Sequence, residues 1–363
     1  MRNAGADWDR IALRSIVLGL APLLHQKIED WGLNLPPRAA AKLGVTYKAN
    51  AKRNTKIYTQ LSEMLAACRT RGLIPIVLKG VHLAADYYSH SALRPMNDID
   101  LLFTPEELPE VAQVLASLGY EGKYISPNLG VGVTKHTSTF NRPGSKASGA
   151  TPNPYLSTDA SSIVEPHGSL EESWFGLRVD ITPGVRERAK RTLLSKQECN
   201  ALAIEDLLLH LCVHFCFHLI MGRPALLQLV DLQVVTRKTE IDWDAFARLA
   251  QAAHAQVYAL AALQLARQLV SANTDGNAMA TLAAGIQSSL RRRVEQLGLT
   301  EILQRTQQRP LRTIPQRIAR GLHDRAEAAR WTPNLRGRWH VWQTAFRASR
   351  TDTGQMLLGR RQS

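Results

Sequence analysis

Two aspartates stand one residue apart in Arg94-Pro-Met-Asn-Asp98-Ile-Asp100-Leu-Leu-Phe103. The apolar residues around them read as a strand, and strand side chains alternate faces, so Asp98 and Asp100 project from the same side. Two carboxylates so placed make a divalent-cation site. Hard oxygen ligands suit Mg²⁺, which is usually bound by one or two carboxylates together with substrate phosphates, so the expected partner is a nucleotide. Upstream, Lys79 and Gly80 close the apolar run Leu73-Ile-Pro-Ile-Val-Leu78, and Arg94 follows fourteen residues after Gly80. Gly80 lets backbone approach phosphate closely, Lys79 adds a mobile positive charge, and Arg94 supplies a bidentate grip on the same anion.

The elements that must position these groups are short. Residues 73–78 read as a strand, and residues 81–88 as a helix starting at the Lys79-Gly80 turn, so that its free N–H groups face the acidic strand. After that strand, Thr104-Pro-Glu-Glu107 has the pattern of a capping box with Pro at the first helical position, and Gly119 closes the helix it opens. Strand, turn, helix, strand and helix within about 50 residues predict an α/β or α+β unit. An Asp-x-Asp strand alone also occurs on solvated edges. The order of lysine, glycine, arginine and the two aspartates is what points to a phosphate and metal site.

That order resembles the uncharacterised nucleotidyltransferase family of the DNA polymerase β-like superfamily, whose members carry a Leu-Lys-Gly turn, an Arg and an Asp-Ile-Asp-Leu-Leu strand. The likeness extends over about residues 10–270. Residues 54–80 are similar to the family's helix-then-strand entry, and residues 207–263 to its helical region, with His214, His218 and Leu229-Val-Asp231 in matching positions. The wider superfamily usually has Gly-Ser at the turn where this chain has Lys79-Gly80.

The resemblance implies a third carboxylate on a later strand. Glu165 in Ser162-Ile-Val-Glu165-Pro-His167 fits the family's order of acid, apolar residue and His, and Asp180 in Leu177-Arg-Val-Asp180-Ile181 is the competitor. Pro166 replaces the apolar residue; lacking a ladder donor, it implies an edge strand or a bulge. His167 is expected in the nucleotide site, orienting the acceptor or pairing with a carboxylate. The implied chemistry is nucleotidyl transfer with two Mg²⁺ ions on Asp98, Asp100 and Glu165, and a nucleoside triphosphate as co-substrate held by Lys79, Gly80, Arg94 and His167. The acceptor it implies is a peptide or small molecule of a natural-product pathway, lasso-peptide tailoring among them. The alternatives are a tRNA- or antibiotic-modifying enzyme, or a nucleotide- or RNA-binding module without turnover.

His210, His214 and His218 recur every four residues and share one helical face. The outer two lie about two turns apart, so the three do not close one tetrahedral zinc site. The expected role is packing, with His214 or His218 hydrogen-bonded near the nucleotide.

The 363 residues are 45% hydrophobic, enough for a sizeable core, and contain no uninterrupted apolar stretch of about 18. No membrane and no secretory leader are expected, and four cysteines without disulfide spacing suit reduced thiols in the cytoplasm. The fold class expected is α+β: a small mixed sheet flanked by N-terminal helices and a C-terminal helical subdomain. The segments are 1–70, a helical lead-in; 71–185, the catalytic core with a flexible loop at about 143–162; 186–285, helical; and 286–363, a basic tail. That tail has 16 Arg, no Lys and 5 acidic residues, eleven of the fourteen net positive charges. Its arginines (residues 291–293, Arg317, Arg320, Arg325, Arg336, Arg338, Arg347), interleaved with Trp331, Trp339 and Trp342, suit either RNA phosphates or a solvated helical surface.

Overall fold

The computed structural model describes residues 6–122, 139–142, 163–223, 225–306 and 313–347. The loop expected at 143–162 lies outside them. The chain forms two compact units that interleave along the sequence: residues 1–124, 136–169 and 186–203 make the first, and 125–135, 170–185 and 204–363 the second. The architecture is α+β, with a mixed seven-stranded sheet in the first unit.

That unit begins with helices α1 (Trp8–Val17), α2 (Ala21–Asp30) and α3 (Pro37–Thr70). Strand β1 (Ile76–Val77) leads into α4 (Lys79–Asp86), a 3-10 turn (Ser91–Leu93) and β2 (Asp98–Leu102). Next come α5 (Leu108–Ser117), β3 (Glu121–Gly122), β4 (Phe140–Asn141) and β5 (Ile163–His167). The chain returns, after the second unit's hairpin β6 (Glu171–Trp174) and β7 (Leu177–Asp180) and the short α6 (Val185–Arg188), as β8 (Lys190–Leu194) and β9 (Gln197–Ala201). The sheet order is β3-β4-β5-β2-β1-β9-β8, with β2 parallel to β5 and β1 parallel to β9.

Strand alternation gives β2 its two functions. Ile99 and Leu101 enter a core with Ile57, Leu61 and Met64 of α3, Val111 and Leu115 of α5, and Val164 of β5. Asp98 and Asp100 therefore face the opposite side. The capping box forms as expected: the Thr104 amide donates to Glu107 Oε2 at 2.7 Å and the Glu107 amide to Thr104 Oγ1 at 3.3 Å, although regular helix starts only at Leu108. Gly119, with φ of 78°, ends that segment.

Pro166 does not mark an edge, as its missing donor had implied; β5 lies between β4 and β2. Ile163 donates to the Asn97 carbonyl and the His167 carbonyl accepts from Phe103, so alternation turns the Pro166 nitrogen toward β4. Strand β4 pairs with β5 only at Phe140–Val164, so the proline interrupts no ladder among the described residues.

The second unit continues as α7 (Ile204–Ile220), α8 (Leu226–Lys238), α9 (Trp243–Ala252), α10 (Gln256–Val270) and α11 (Gly276–Ala284). Then come α12 (Ser288–Glu295), α13 (Leu299–Thr306), α14 (Ile314–Arg330) and α15 (Leu335–Arg347). Helix α7 is apolar nearly all round and its residues are mostly buried, as a helix packed on several sides requires. All four cysteines are buried and free of disulfides. Among the described residues no helix is long and apolar enough to cross a membrane.

Ile99 separates site from scaffold. Truncation by Ile99→Ala leaves both carboxylates in place but opens a cavity costing about 2–5 kcal/mol, which a fall in the midpoint of urea unfolding will register.

Candidate active site

The parallel β2–β5 pair sets the register of the site. Asp98 lies opposite Ile163, Asp100 opposite Glu165 and Leu102 opposite His167, so alternate residues of both strands share one face. Asp100, Glu165 and His167 bring a ligand atom each to within 4.8 Å of one another. Asp98 sits on the same face two residues earlier and stands outside that close group. Asp180 belongs to the two-stranded β6–β7 sheet, where its Oδ1 accepts from the Thr182 amide at 2.9 Å and from Thr182 Oγ1 at 2.5 Å. Glu165, one of the two candidates for a third carboxylate, lies opposite Asp100 in the β2–β5 pair.

Asp100 is only 4% exposed. A buried carboxylate survives only with partners, and both its oxygens have one. His167 Nε2 lies 2.7 Å from Oδ1 and Lys79 Nζ lies 3.2 Å from Oδ2. An ionised carboxylate only accepts, so Nε2 donates. Lys79 is thus a buried, paired cation rather than the mobile one its place at a strand end suggested.

The Lys79 side chain reaches Asp100 from a strained backbone. The Leu78 amide bonds the Asp100 carbonyl at 3.0 Å, and Lys79 then takes φ of 38° as α4 begins. For a residue with a Cβ this region costs on the order of 1–3 kcal/mol and is kept where surrounding structure enforces it. Gly80 follows in the first turn, where a Cβ would lie 2.9 Å from Arg94 Nη1 and 3.4 Å from Met96 Cβ. The Arg94 guanidinium lies against the Gly80 backbone, and a Cβ there would have to displace it.

Arg94 itself is buried. Its position is held from α3, where Asn54 Nδ2 donates to the Arg94 carbonyl at 2.9 Å and to the Ser91 carbonyl at 2.6 Å, and Asn50 Nδ2 to the Ala92 carbonyl at 2.5 Å. One turn on, the Tyr58 hydroxyl donates to the Val81 carbonyl at 2.8 Å, and burial pushes its pKa well above the ordinary tyrosine value. Asn50, Arg53 and Asn54 are nearly inaccessible, and the sequence reading passed over them. Their signal was present: polar residues at helical spacing on the face that continues into Ile57, Leu61 and Leu65.

The electrostatics show what the site lacks. Burial and repulsion from Asp100 push Asp98 up to about 6, with Glu165 adding to the rise and Lys79 and Arg94 opposing it. Asn97, next in the chain, has a buried Oδ1 with no hydrogen-bond partner among the described residues. An excess of oxygen acceptors and negative charge is the environment a divalent cation relieves, so the donor set fits a metal. Two carboxylates favour Mg²⁺ or Mn²⁺, and an imidazole beside them shifts the balance toward Mn²⁺ or Zn²⁺.

The model of an uncharacterised nucleotidyltransferase family matches residues 4–271. The chain belongs to that family of nucleotidyltransferases. The match covers the whole seven-stranded sheet, Lys79, Arg94 and the acidic cluster, and stops within the second unit after α10. No curated protein and no solved structure matches the chain.

The histidines of the chain serve different ends. His167 joins the acidic cluster, whereas His214 Nδ1 pairs with the buried Glu172 of β6 at 3.0 Å and His218 Nδ1 with Gln228 Nε2 at 3.2 Å. The three rings of α7 follow one another along the helix, with centroids 6.0 Å and 4.2 Å apart. Among the described residues they form no metal-ligand group with a third donor.

Two outcomes test this geometry. Gly80→Ala raises helix propensity by about 1 kcal/mol while displacing the Arg94 guanidinium, so thermal stability will change little and triphosphate affinity will fall about tenfold or more in a calorimetric titration. Asp98 carries the pH test. Its folded pKa near 6 lies above the ordinary 3.8, so between these values the folded chain keeps a proton that the unfolded chain releases. Its contribution to stability is therefore present at the acid end and is lost as pH rises toward 6. Urea unfolding of the metal-free protein across this window will show that slope, and Asp98→Asn will flatten it.

Proposed function

We propose that the protein is a divalent-cation-dependent nucleotidyltransferase that moves a nucleoside monophosphate from a nucleoside triphosphate to an acceptor, releasing pyrophosphate. The observation that carries this reading is the meeting of Asp100, Glu165 and His167 around one point, with Lys79 on the far oxygen of Asp100. Asp98, Asp100 and Glu165 would hold two Mg²⁺ ions. Bound there, the ions would neutralise the triphosphate and polarise the reacting phosphoryl group.

The chain's own residues do the rest. Arg94 and the backbone at Gly80 bind the β- and γ-phosphates, and the guanidinium fixes their orientation through paired N–H donors. Lys79 bridges Asp100 and the phosphates, and its positive charge stabilises the negative charge that develops on the departing pyrophosphate. His167 fixes the rotamer of Asp100 through Nε2 and keeps one oxygen aimed at the shared point. The acceptor oxygen attacks the α-phosphorus, the bond to the bridging oxygen breaks, and the acceptor's proton passes to solvent or to a carboxylate of the cluster. The reading extends to ATP as donor, a peptide or small-molecule acceptor in a biosynthetic pathway, and a cytoplasmic location.

Incubation with each α-labelled nucleoside triphosphate and Mg²⁺ or Mn²⁺ tests the proposal through pyrophosphate release and label transfer. Asp100→Asn and Glu165→Gln are expected to abolish both with the fold retained, and His167→Ala to cost about 10–100-fold. Equal turnover in wild type and Asp100→Asn would remove the site. Binding of triphosphate without any pyrophosphate release, across a panel of peptide, RNA and small-molecule acceptors, would instead favour a binding module on the same scaffold.

A further inference from the structure

The second unit carries a different polar construction, built from helices that lie beyond residue 271, where the family match ends. At its centre Glu327 of α14 is 2% exposed. Arg305 and Arg293 reach its Oε1 at 2.8 and 2.9 Å, Trp331 Nε1 donates to the same oxygen at 3.1 Å, and Arg330 lies 3.3 Å from Oε2. Burial alone would raise its pKa, yet Arg305 and Arg293 hold the carboxyl down at about 2. Glu301 accepts from Arg293 and Arg305 at 2.5 and 2.7 Å, so both guanidiniums are locked between two carboxylates.

Beside this network α12, α14 and α15 line an open cavity of about 580 Å³, whose Arg292, Arg330 and Arg338 are exposed. Its wall presents the guanidiniums of Arg292, Arg293, Arg330 and Arg338 with the amide of Gln296, while the small Ala326 and Ala329 leave the space open. Among the described residues no carboxylate and no aromatic ring lines it. Arg292 and Arg338 make no ion pair among the described residues. Wall and network together hold five guanidiniums against two carboxylates, a local excess of three positive charges.

Each feature narrows the ligand. Arg293 and Arg330 already pair with Glu327, whereas Arg292 and Arg338 have no carboxylate partner among the described residues, and planar guanidinium forks match phosphate oxygens. The volume falls within the range of about 300–1,000 Å³ typical of small-molecule sites and has room for a compact occupant. Surfaces that track single-stranded nucleic acid add aromatic rings on which bases stack, and this wall has none. Trp331, the tail's inner tryptophan, is instead buried against Tyr258 with ring centroids 5.9 Å apart. We propose that this cavity binds a compact oligophosphate group, either free or carried by a phosphorylated small molecule, independently of the acidic site in the first unit.

The test uses the full chain in EDTA, so that no divalent cation bridges phosphate to Asp100. Inorganic tripolyphosphate is titrated calorimetrically against wild type, Asp100→Asn, the pair Arg292→Glu with Arg338→Glu, and a control pair Arg291→Glu with Arg336→Glu. The control arginines lie on the same two helices, are exposed and do not line the cavity. Saturable one-to-one binding is expected in wild type, Asp100→Asn and the control pair, and a loss of at least tenfold in the cavity pair. ATP titrated alongside tells the sources apart: affinity equal to that of tripolyphosphate means that the phosphates alone are read, and tighter binding means a carried group. Equal losses in the cavity and control pairs would reduce the effect to bulk charge and overturn the site. A 12-nucleotide single-stranded RNA bound more tightly than tripolyphosphate, and lost with the cavity pair, would overturn the compact-ligand assignment. Circular dichroism of both pairs checks the fold, and because Asp100→Asn keeps this binding, failure here and failure of the nucleotidyl-transfer proposal are separable.

Discussion

The buried carboxylate of Asp100 is the constraint around which the first unit is arranged. With 4% exposure it has lost nearly all hydration, and an isolated buried charge is too costly for a domain of marginal stability. Lys79 and His167 therefore both have to be present, one on each oxygen. The first comes from the β1–α4 turn and the second from the far end of β5, so a single carboxylate ties together three elements distant in sequence. Removing either partner exposes the other's loss, because an unpaired buried charge costs more than the pair contributed.

Strain and support around this pair follow from it. Lys79 adopts its left-handed backbone where glycine would be easier, since only a long cationic side chain at that position reaches Asp100. A Cβ at Gly80 would then have to displace Arg94, which occupies the space beside it. Arg94 in turn depends on the middle of α3, whose amide side chains hold the carbonyls of the 3-10 turn. The 34-residue helix thus works in two registers: its C-terminal half packs apolar residues under the sheet, and its middle third positions the loop that carries the arginine.

The second unit manages buried charge by a different route. Glu172 pairs with a histidine, and Glu327 with three arginines and a tryptophan N–H. In the first unit, Asp98 is held up at about 6 because burial, Asp100 and Glu165 together outweigh Lys79 and Arg94. A network that satisfies its charges is a scaffold. One that leaves negative charge unbalanced is prepared for a cation, and the arginine-lined cavity is its counterpart of opposite sign.

Local sequence determined the period-2 alternation that aims Asp98 and Asp100 away from Ile99 and Leu101, the Thr104–Glu107 capping box, the helical spacing from residue 201 to about 287, though not the strands β8 and β9 at the start of the segment 186–285, and the order of lysine, glycine, arginine and acids that marks the family. These are legible because they depend on neighbours within a few residues. Other features waited for the fold. The β8–β9 hairpin turns on Ser195 and Lys196, both at positive φ without the glycine or asparagine that announces such a turn. Pro166 reads as an edge residue and lies inside the sheet, because one short partner strand leaves its nitrogen no ladder bond to break. Burial of Lys79 and the role of Asn50 and Asn54 arise from residues tens of positions apart being packed together. A side chain's type says what it can bind, but its charge state and its partner depend on how much water the rest of the chain removes, and only the tertiary structure decides that.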